Sequence, residues 1–153
     1  MTRIVIALIC AIGACVAADG PLRGLREVVL SVHVTKANDA ASIASAASAP
    51  FINAGLIVHP SGTKLPPDRP WGAVAVNIEA VQSGGSGDMA AYTVSVEVMQ
   101  FGVTEAGGTG AIITARKGAF GIVGINRFAS IDWNRDVSEL ALQIVNDWRI
   151  QNQ

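Results

Sequence analysis

Two histidines and two glutamates are the residues best suited to acid–base chemistry in this 153-residue chain. His33 lies on the polar side of an alternating segment and His59 directly precedes Pro60, and the sequence places no carboxylate beside either ring. Glu79 and Glu97 occupy polar positions of two alternating segments, and carboxylates that face each other across a hairpin can transfer protons. Because all four lie at polar or strand-end positions, we expect surface side chains and no catalytic site.

Glycine recurs at every third position from 118 to 124, between the basic residues Arg116, Lys117 and Arg127. Backbone N–H groups and nearby cations suit a phosphate. The spacing matches neither the P-loop nor the dinucleotide-binding pattern, and no helical pattern clearly begins there. A bulged or closely packed strand is the preferred interpretation.

The motifs of the sequence do not indicate a metal site, a catalytic nucleophile or nucleic-acid binding. The chain has no H-x-x-x-H, C-x-x-C or acidic calcium loop, and no G-x-S-x-G serine elbow. We therefore expect no metal and no cofactor. The net charge is −1, and no run of like charge exceeds two residues. A nucleic-acid partner is not expected, since such proteins carry a basic patch.

Two segments are candidate contacts for a protein partner. One is the proline-rich stretch PPDRPW, stiff and carrying a tryptophan of the kind that dominates interfaces; the alternative is that this tryptophan folds back onto the core. The other is the run of apolar residues between the glycines. The candidate contact residues are Pro66, Pro67, Arg69, Trp71, Phe120, Ile122 and Ile125.

Both cysteines lie within the first 18 residues, MTRIVIALICAIGACVAA. Arg3 followed by an apolar run and Val16-Ala17-Ala18 is typical of a secretory signal peptide, so residues 1–18 are predicted to be removed. The run is too short to span a bilayer as a helix, which takes about 20 residues. Residues 19–153 then form one exported domain without cysteine, which suits a bacterial periplasm.

A second processing route competes with simple release. Ile12-Gly13-Ala14-Cys15 resembles the lipobox of bacterial lipoproteins, with isoleucine where leucine is preferred. Cys15 is therefore a candidate lipidation site, and the alternatives are a soluble periplasmic protein, an outer-membrane-associated lipoprotein or a retained anchor.

The elements that position these residues follow from periodicity. Residues 26–35 alternate as a half-buried strand with His33 outward. Asn38 or Asp39 caps a helix through ASIASAASA, which Pro50 is predicted to interrupt, with Ser48 capping a second short turn. Gly55 ends the helical region, and a short strand reaches Pro60.

The strongest pattern begins at Gly72 and continues to Phe101. Two period-2 runs flank a glycine-rich connection and predict an antiparallel hairpin. Another strand covers 110–117, and an amphipathic helix covers about 134–150. Trp133 and Trp148 border its apolar face. Helices at both ends of an antiparallel sheet predict a two-layer α+β fold, with an N-terminal-half helix and a C-terminal helix packed on a mostly antiparallel sheet.

The mature chain resembles small exported bacterial envelope proteins of the auxiliary and assembly lipoprotein type. The resemblance rests on REVVLSVHV, NAGLIV, the hairpin GAVAVNIEAV with YTVSVEVMQF, and the closing VSELALQIVNDW. It implies a non-catalytic component that holds or bridges an envelope assembly, with envelope proteins as partners. The alternative is a soluble periplasmic binder of a small ligand in a cleft between sheet and helices. A hydrolase with an unrecognised site has no positive support.

Overall fold

A five-stranded sheet carries the fold in the computed structural model, which describes residues 22–35, 39–66, 70–82, 89–103 and 109–153. The predicted signal peptide and Cys15 lie outside the described residues, as do Pro67 and Arg69. The strands are β1 (Glu27–Val34), β2 (Ile57–Pro60), β3 (Trp71–Gln82), β4 (Met89–Val103) and β5 (Thr109–Gly124). The helices are α1 (Ala40–Asn53), α2 (Ile125–Phe128) and α3 (Trp133–Gln151).

The strand order is β2-β1-β3-β4-β5. β1, α1 and β2 form a parallel strand–helix–strand unit, since the helix provides the crossover that parallel strands need. β3 also runs parallel to β1, whereas the long β3–β4 and β4–β5 pairings are antiparallel. The predicted α+β class, mostly antiparallel sheet and packed terminal helices are confirmed. The parallel pairings of β1 were not predicted.

One face of the sheet and the two long helices enclose a single core. Alternate residues of β1, β3 and β4 point into it, and α1 and α3 pack against each other above them. The face predicted for α3 is buried: Val137, Leu140, Ala141, Ile144 and Val145. Trp133 is buried and Trp148 is half-buried against the core, as the sequence predicts.

The interruption predicted at Pro50 is wrong, because α1 runs through it. Proline inside a helix costs about 3 kcal/mol. Burial of Pro50 and Phe51 in the core offsets that cost. Ser48 does not cap a new turn; its hydroxyl donates back to the Ala44 carbonyl at 2.6 Å. Asp39 is the N-cap and accepts a hydrogen bond from the Ala41 N–H at 3.0 Å.

The end of α1 lies where the sequence predicts. Gly55 has φ +88°, a left-handed conformation that glycine adopts without strain. Its N–H donates to the Ile52 carbonyl at 2.9 Å, and the Leu56 N–H donates to the Phe51 carbonyl at 3.1 Å. These two bonds form a Schellman motif and direct the buried Leu56 into the core before β2 begins.

Residues 22–25 are attached to the end of α3. The Leu22 N–H donates to Gln151 Oε1 at 2.8 Å, and the Gly24 N–H donates to Asn152 Oδ1 at 2.7 Å. Asn152 Nδ2 in turn donates to the Leu22 carbonyl at 3.1 Å. We call this set the terminal tie. It holds the buried Leu22 and Leu25 over the core.

β5 continues through the glycine series, so the preferred interpretation of a closely packed strand is confirmed. A Cβ on Gly121 would lie 2.6 Å from the Tyr92 hydroxyl oxygen and 2.7 Å from two ring carbons. Tyr92 packs edge-on against Trp133, with ring centroids 5.2 Å apart. Because Gly121 has no side chain, the Tyr92 ring of this aromatic cluster can occupy the space beside its backbone.

Candidate interaction surface

The side of the sheet opposite the helices is the candidate interaction surface, and we call it the outer face. No described helix covers it. Its residues form rows across the strands, fixed by the pairing register. One row contains Ser31, Ala75, Glu97 and Arg116; the next contains His33, Asn77, Ser95 and Gly118; the next contains Glu79, Thr93 and Phe120; and the last contains Val81, Ala91 and Ile122.

The charges of the first row neutralise each other. Arg116 Nε lies 3.1 Å from Glu97 Oε1. On the same strand, Lys117 Nζ lies 2.8 Å from Asp147 Oδ2 of α3. Two of the basic residues that suggested a phosphate site are therefore engaged by carboxylates.

Apolar side chains collect at the end of the outer face next to the β3–β4 connection. Val81 is 71% exposed, Met89 45%, Phe120 85% and Ile122 67%. We call these four residues the apolar end cluster. Exposed apolar patches of this kind mark binding surfaces in soluble domains.

A depression lies beside Phe120 on the same face. It has a volume of about 370 Å³, and its lining includes Thr93, Ser95, Arg116, Gly118 and Phe120 itself. A Cβ on Gly118 would lie 3.0 Å from the Val94 carbonyl oxygen and 3.3 Å from Ser95 Cβ. The depression exists because the neighbouring positions carry a glycine and a serine. We call it the socket.

The structure separates the predicted contact residues into two groups. Phe120 and Ile122 are neighbours in the apolar end cluster, and Ile125 follows them, half-buried in α2. Pro66 is exposed. Trp71 begins β3 beside Glu27, at the opposite end of the sheet. It is half-buried and does not belong to the core cluster.

Val81 and Met89 were missed by the sequence reasoning. The signal for Val81 was its position, since it falls in phase with Asn77 and Glu79, which were assigned to the polar side. An apolar residue on a polar face predicts an exposed contact. Met89 follows the glycine-rich connection, where the alternation had not yet begun.

The candidate acid–base residues do not assemble into one site. Glu79 pairs with Thr93 and Glu97 pairs with Ala75, so the two glutamates do not face each other across the hairpin. Their β3 positions are four residues apart, about 13 Å along the strand. His33 is exposed on the outer face, as predicted.

His59 contacts a carboxylate, and the sequence had placed none beside its ring. Its Nε2 lies 2.9 Å from Glu27 Oε2 across the β1–β2 pairing. Within the described ranges, no group of three His, Cys, Asp or Glu side chains is arranged to hold a metal ion. Among the helices of the described part, none has the length and apolar character needed to cross a membrane.

A second concave surface lies on the helix side, between α1 and the β1–β2 edge. It has a volume of about 350 Å³. Its lining is mostly apolar, with Leu30, Val32 and Val58 along the strands and Ser45 and Ile52 on the helix. We call it the α1 groove.

Comparison with known proteins gives similarity only at the level of structure. No protein-family model matches the chain, and no curated protein matches its sequence. The PelC dodecamer from Paraburkholderia phytofirmans aligns with a TM-score of 0.45 and 11% identity, over 82% of this chain and 89% of that one. A minor lipoprotein from Acinetobacter baumannii aligns with a TM-score of 0.43 and 12% identity, over 82% and 91%.

A hypothetical protein from Chlamydia trachomatis aligns with a TM-score of 0.41 and 14% identity, over 83% of this chain and 96% of that one. Two of these three structures are thus a lipoprotein and an assembled PelC.

Proposed function

We propose that this chain is a non-catalytic binding protein that serves as an accessory or structural subunit of a bacterial cell-envelope assembly. The observation that carries the proposal is the apolar end cluster on an outer face that no described helix covers. Burying such side chains stabilises a complex, since each large apolar side chain removed from water contributes about 1.5–3 kcal/mol. The outer face is the contact surface in this proposal.

The arrangement of polar groups supports binding over catalysis. His59 and Glu27 form a pair across β1 and β2, far along the sheet from Glu79 and Glu97. Glu97 is engaged by Arg116. Acid–base catalysis needs groups positioned within hydrogen-bond reach of one substrate.

Export is part of the same proposal. Removal of residues 1–18 would release a soluble periplasmic protein, and lipidation at Cys15 would attach it to a membrane. The intact mass of the purified protein separates these routes, since a lipidated Cys15 adds the mass of its acyl chains and cleavage near residue 18 removes both cysteines.

The deciding experiment is native purification from gently solubilised envelope, with intact masses recorded for every co-eluting protein. We expect a stoichiometric complex for the wild type and a loss of roughly tenfold or more in co-eluting partner for Phe120→Ser and Ile122→Ser. Ile150→Ser is the matched control, because Ile150 is 72% exposed on α3, away from the outer face. Equal loss in all three variants, or none in any, contradicts the assignment of the outer face.

The Pro66–Trp71 segment is the second proposed contact. Its Trp71 lies at the other end of the sheet from the apolar end cluster, eight residues away along β3 from the Phe120 row, or about 27 Å. A partner that uses both must therefore span the outer face. Loss of partner in Trp71→Ala with an unchanged unfolding temperature supports this second contact, and retention of partner removes it.

The α1 groove favours a second candidate function, a periplasmic binder of a small apolar ligand. Its volume of about 350 Å³ lies in the range of small-molecule sites. A medium-chain fatty acid at 100 times its dissociation constant would stabilise the fold by about 2.7 kcal/mol. Ser45→Phe, which fills the groove, should abolish that thermal shift, whereas Ala49→Phe, at an exposed α1 position that does not line the groove, should not. Absence of a shift in the wild type removes this candidate.

A further inference from the structure

We infer that an exposed edge of β1 binds an extended segment of a partner protein as an added strand, with alternate apolar side chains of that segment in the α1 groove. Added strands of this kind bind through main-chain hydrogen bonds, and pockets for every second side chain give specificity. The inference goes beyond the proposed function, which concerns the outer face. It also names a peptide, in place of a small ligand, as the occupant of the α1 groove.

β1 is paired along its whole length on one side and along only half of it on the other. Its register with β3 continues from Glu27 to Val34, whereas its register with β2 ends where Leu30 pairs with Pro60. No described strand lies beside Ser31–Val34 on the β2 side, and we call this segment the open edge. At about 3.3 Å per residue, it is about 13 Å long.

The backbone groups of Val32 and Val34 point toward the open side. The Thr35 N–H donates to the Ile78 carbonyl of β3 at 2.9 Å, and the backbone groups of successive strand residues point to alternate sides. The same alternation holds just before β1, where the Arg26 carbonyl accepts from the first N–H of β2 at 3.0 Å. The N–H and C=O groups of Val32 and Val34 are therefore placed to bond an added strand.

The α1 groove lies on the helix side of the same edge. Its lining includes Val32 and Val58 on the strands and the small residues Ala44, Ser45 and Ser48 on the helix. The side chains of an added strand point alternately to the two faces of the sheet. Every second side chain would therefore enter the groove.

The groove is suited to a neutral, apolar occupant. Among the described residues that line it, none is Asp, Glu, Lys or Arg. Its histidine, His59, is engaged by Glu27 at 2.9 Å. Ile52 also lines it and is 57% exposed. A charged ligand finds no counter-charge in this lining, whereas an extended peptide matches both the apolar lining and the backbone groups beside it.

The other face of the added strand would lie beside polar side chains. Ser31 and His33 are on the outer face of β1, and His33 is exposed. The inferred segment therefore has apolar residues at every second position and polar residues between them.

The two other edges of the sheet are less suited to an added strand. Because the Ile57 N–H of β2 faces β1, Pro60 faces outward, and proline has no N–H to donate. β5 has Arg116 and Lys117 at its middle, and charged residues on an edge strand oppose pairing. The open edge, Ser31–Val34, contains no lysine, arginine or proline.

The first test is selection from a random peptide library displayed on phage, against the full chain exported in a bacterial host and purified. We expect enriched peptides with apolar residues at every second position, bound roughly tenfold or more weakly by Ser45→Phe, which fills the groove. Ala49→Phe is the matched control, because Ala49 is exposed on α1 and does not line the groove. A selection without enrichment, enriched peptides with helical spacing, or equal binding to Ser45→Phe overturns the inference.

The second test determines whether an enriched peptide lies on the open edge. We expect hydrogen exchange at the Val32 and Val34 amides to slow roughly tenfold or more when the peptide binds, and exchange at His33, whose N–H faces β3, to change little. N-methylation of alternate peptide nitrogens should abolish binding for the set that faces β1 and not for the other set. Slowed exchange along β5 instead, or equal binding of the two methylated peptides, contradicts strand addition to β1.

Two further measurements separate this inference from the other proposals. If decanoate raises the unfolding temperature and no peptide is enriched, the α1 groove binds a small ligand and the inference is wrong. Phe120→Ser changes only the outer face, so its loss of envelope partners tests the proposed function alone, and we expect it to bind the enriched peptide as the wild type does. A tenfold loss of peptide binding in Phe120→Ser would place the peptide on the outer face and overturn the inference.

Discussion

Tyr92 and Gly121 show how one missing side chain determines local packing. The Tyr92 ring lies against the backbone of Gly121, at distances that no Cβ tolerates. The same ring contacts Trp133 and Phe128. The two latter rings also contact each other, with centroids 5.6 Å apart. A displacement of Tyr92 therefore disturbs the junction between β4, β5 and α3.

Gly121→Ala should destabilise the fold by about 1–3 kcal/mol, because the ring must move out of its contacts. Denaturant unfolding followed by tryptophan fluorescence measures the change. Gly110→Ala is the control, since a Cβ there meets nothing within 4 Å. Equal effects of the two substitutions would contradict the close-packing explanation.

Phe120 and Phe51 have opposite surroundings, and their truncation should have opposite consequences. Phe51 is 1% exposed within the core. Phe51→Ala should cost about 3–5 kcal/mol, whereas Phe120→Ser should change the stability of the isolated chain by no more than about 0.5 kcal/mol. Urea unfolding at a concentration below that of any self-association provides the comparison. A large loss in Phe120→Ser would mean that this side chain serves the fold.

At the scale of elements, the end of α1 depends on a single backbone conformation. Gly55→Ala places a Cβ at φ +88° and should destabilise the fold by about 1 kcal/mol. Gly55→Asn should cost less, because asparagine adopts the left-handed region more readily. The thermal unfolding temperatures of the wild type, Gly55→Asn and Gly55→Ala should decrease in that order. An alanine variant as stable as the wild type would remove the Schellman motif as the reason for glycine.

Elements whose pattern is local were predictable, and those that depend on distant contacts were not. β1, β3, β4 and α3 follow from their periodicity. The continuity of α1 through Pro50 depends on burial against strands far away in sequence, which a local rule does not include. The parallel partners of β1 are likewise non-local. Phe120 and Ile122 were predicted as contact residues because they are apolar residues between glycines. The socket is lined by residues of two strands, so no pattern along a single strand indicates it.

At the scale of the whole molecule, the terminal tie joins the two ends of the described fold. Asn152 receives a hydrogen bond from the Gly24 N–H and donates to the Leu22 carbonyl. With the bond from the Leu22 N–H to Gln151, these make three connections, and Trp148 Nε1 adds a fourth by donating to the Leu25 carbonyl at 3.1 Å. This tie keeps Leu22 and Leu25 in the core, although the residues lie outside any described strand or helix.

Asn152→Ala should destabilise the fold by about 1–3 kcal/mol, since three part-buried hydrogen bonds between its side chain and the backbone are lost. Asn134→Ala is the control; its side chain makes an exposed bond to Ser42 Oγ at 2.7 Å, and we expect a smaller loss. Hydrogen exchange should also show faster exchange at the Leu22 and Gly24 amides in Asn152→Ala. Unchanged exchange at both amides would contradict the tie.

The terminal tie also sets the order of events while the chain is being made. Its partners are 128 to 130 residues apart, so residues 22–24 emerge from the ribosome long before their acceptors. At about 5–20 residues per second, the interval is on the order of ten seconds. Throughout it, the helix side of the sheet lacks α3 and the first turn of the domain has nothing to hold it. The core can therefore close only after the last helix has been made.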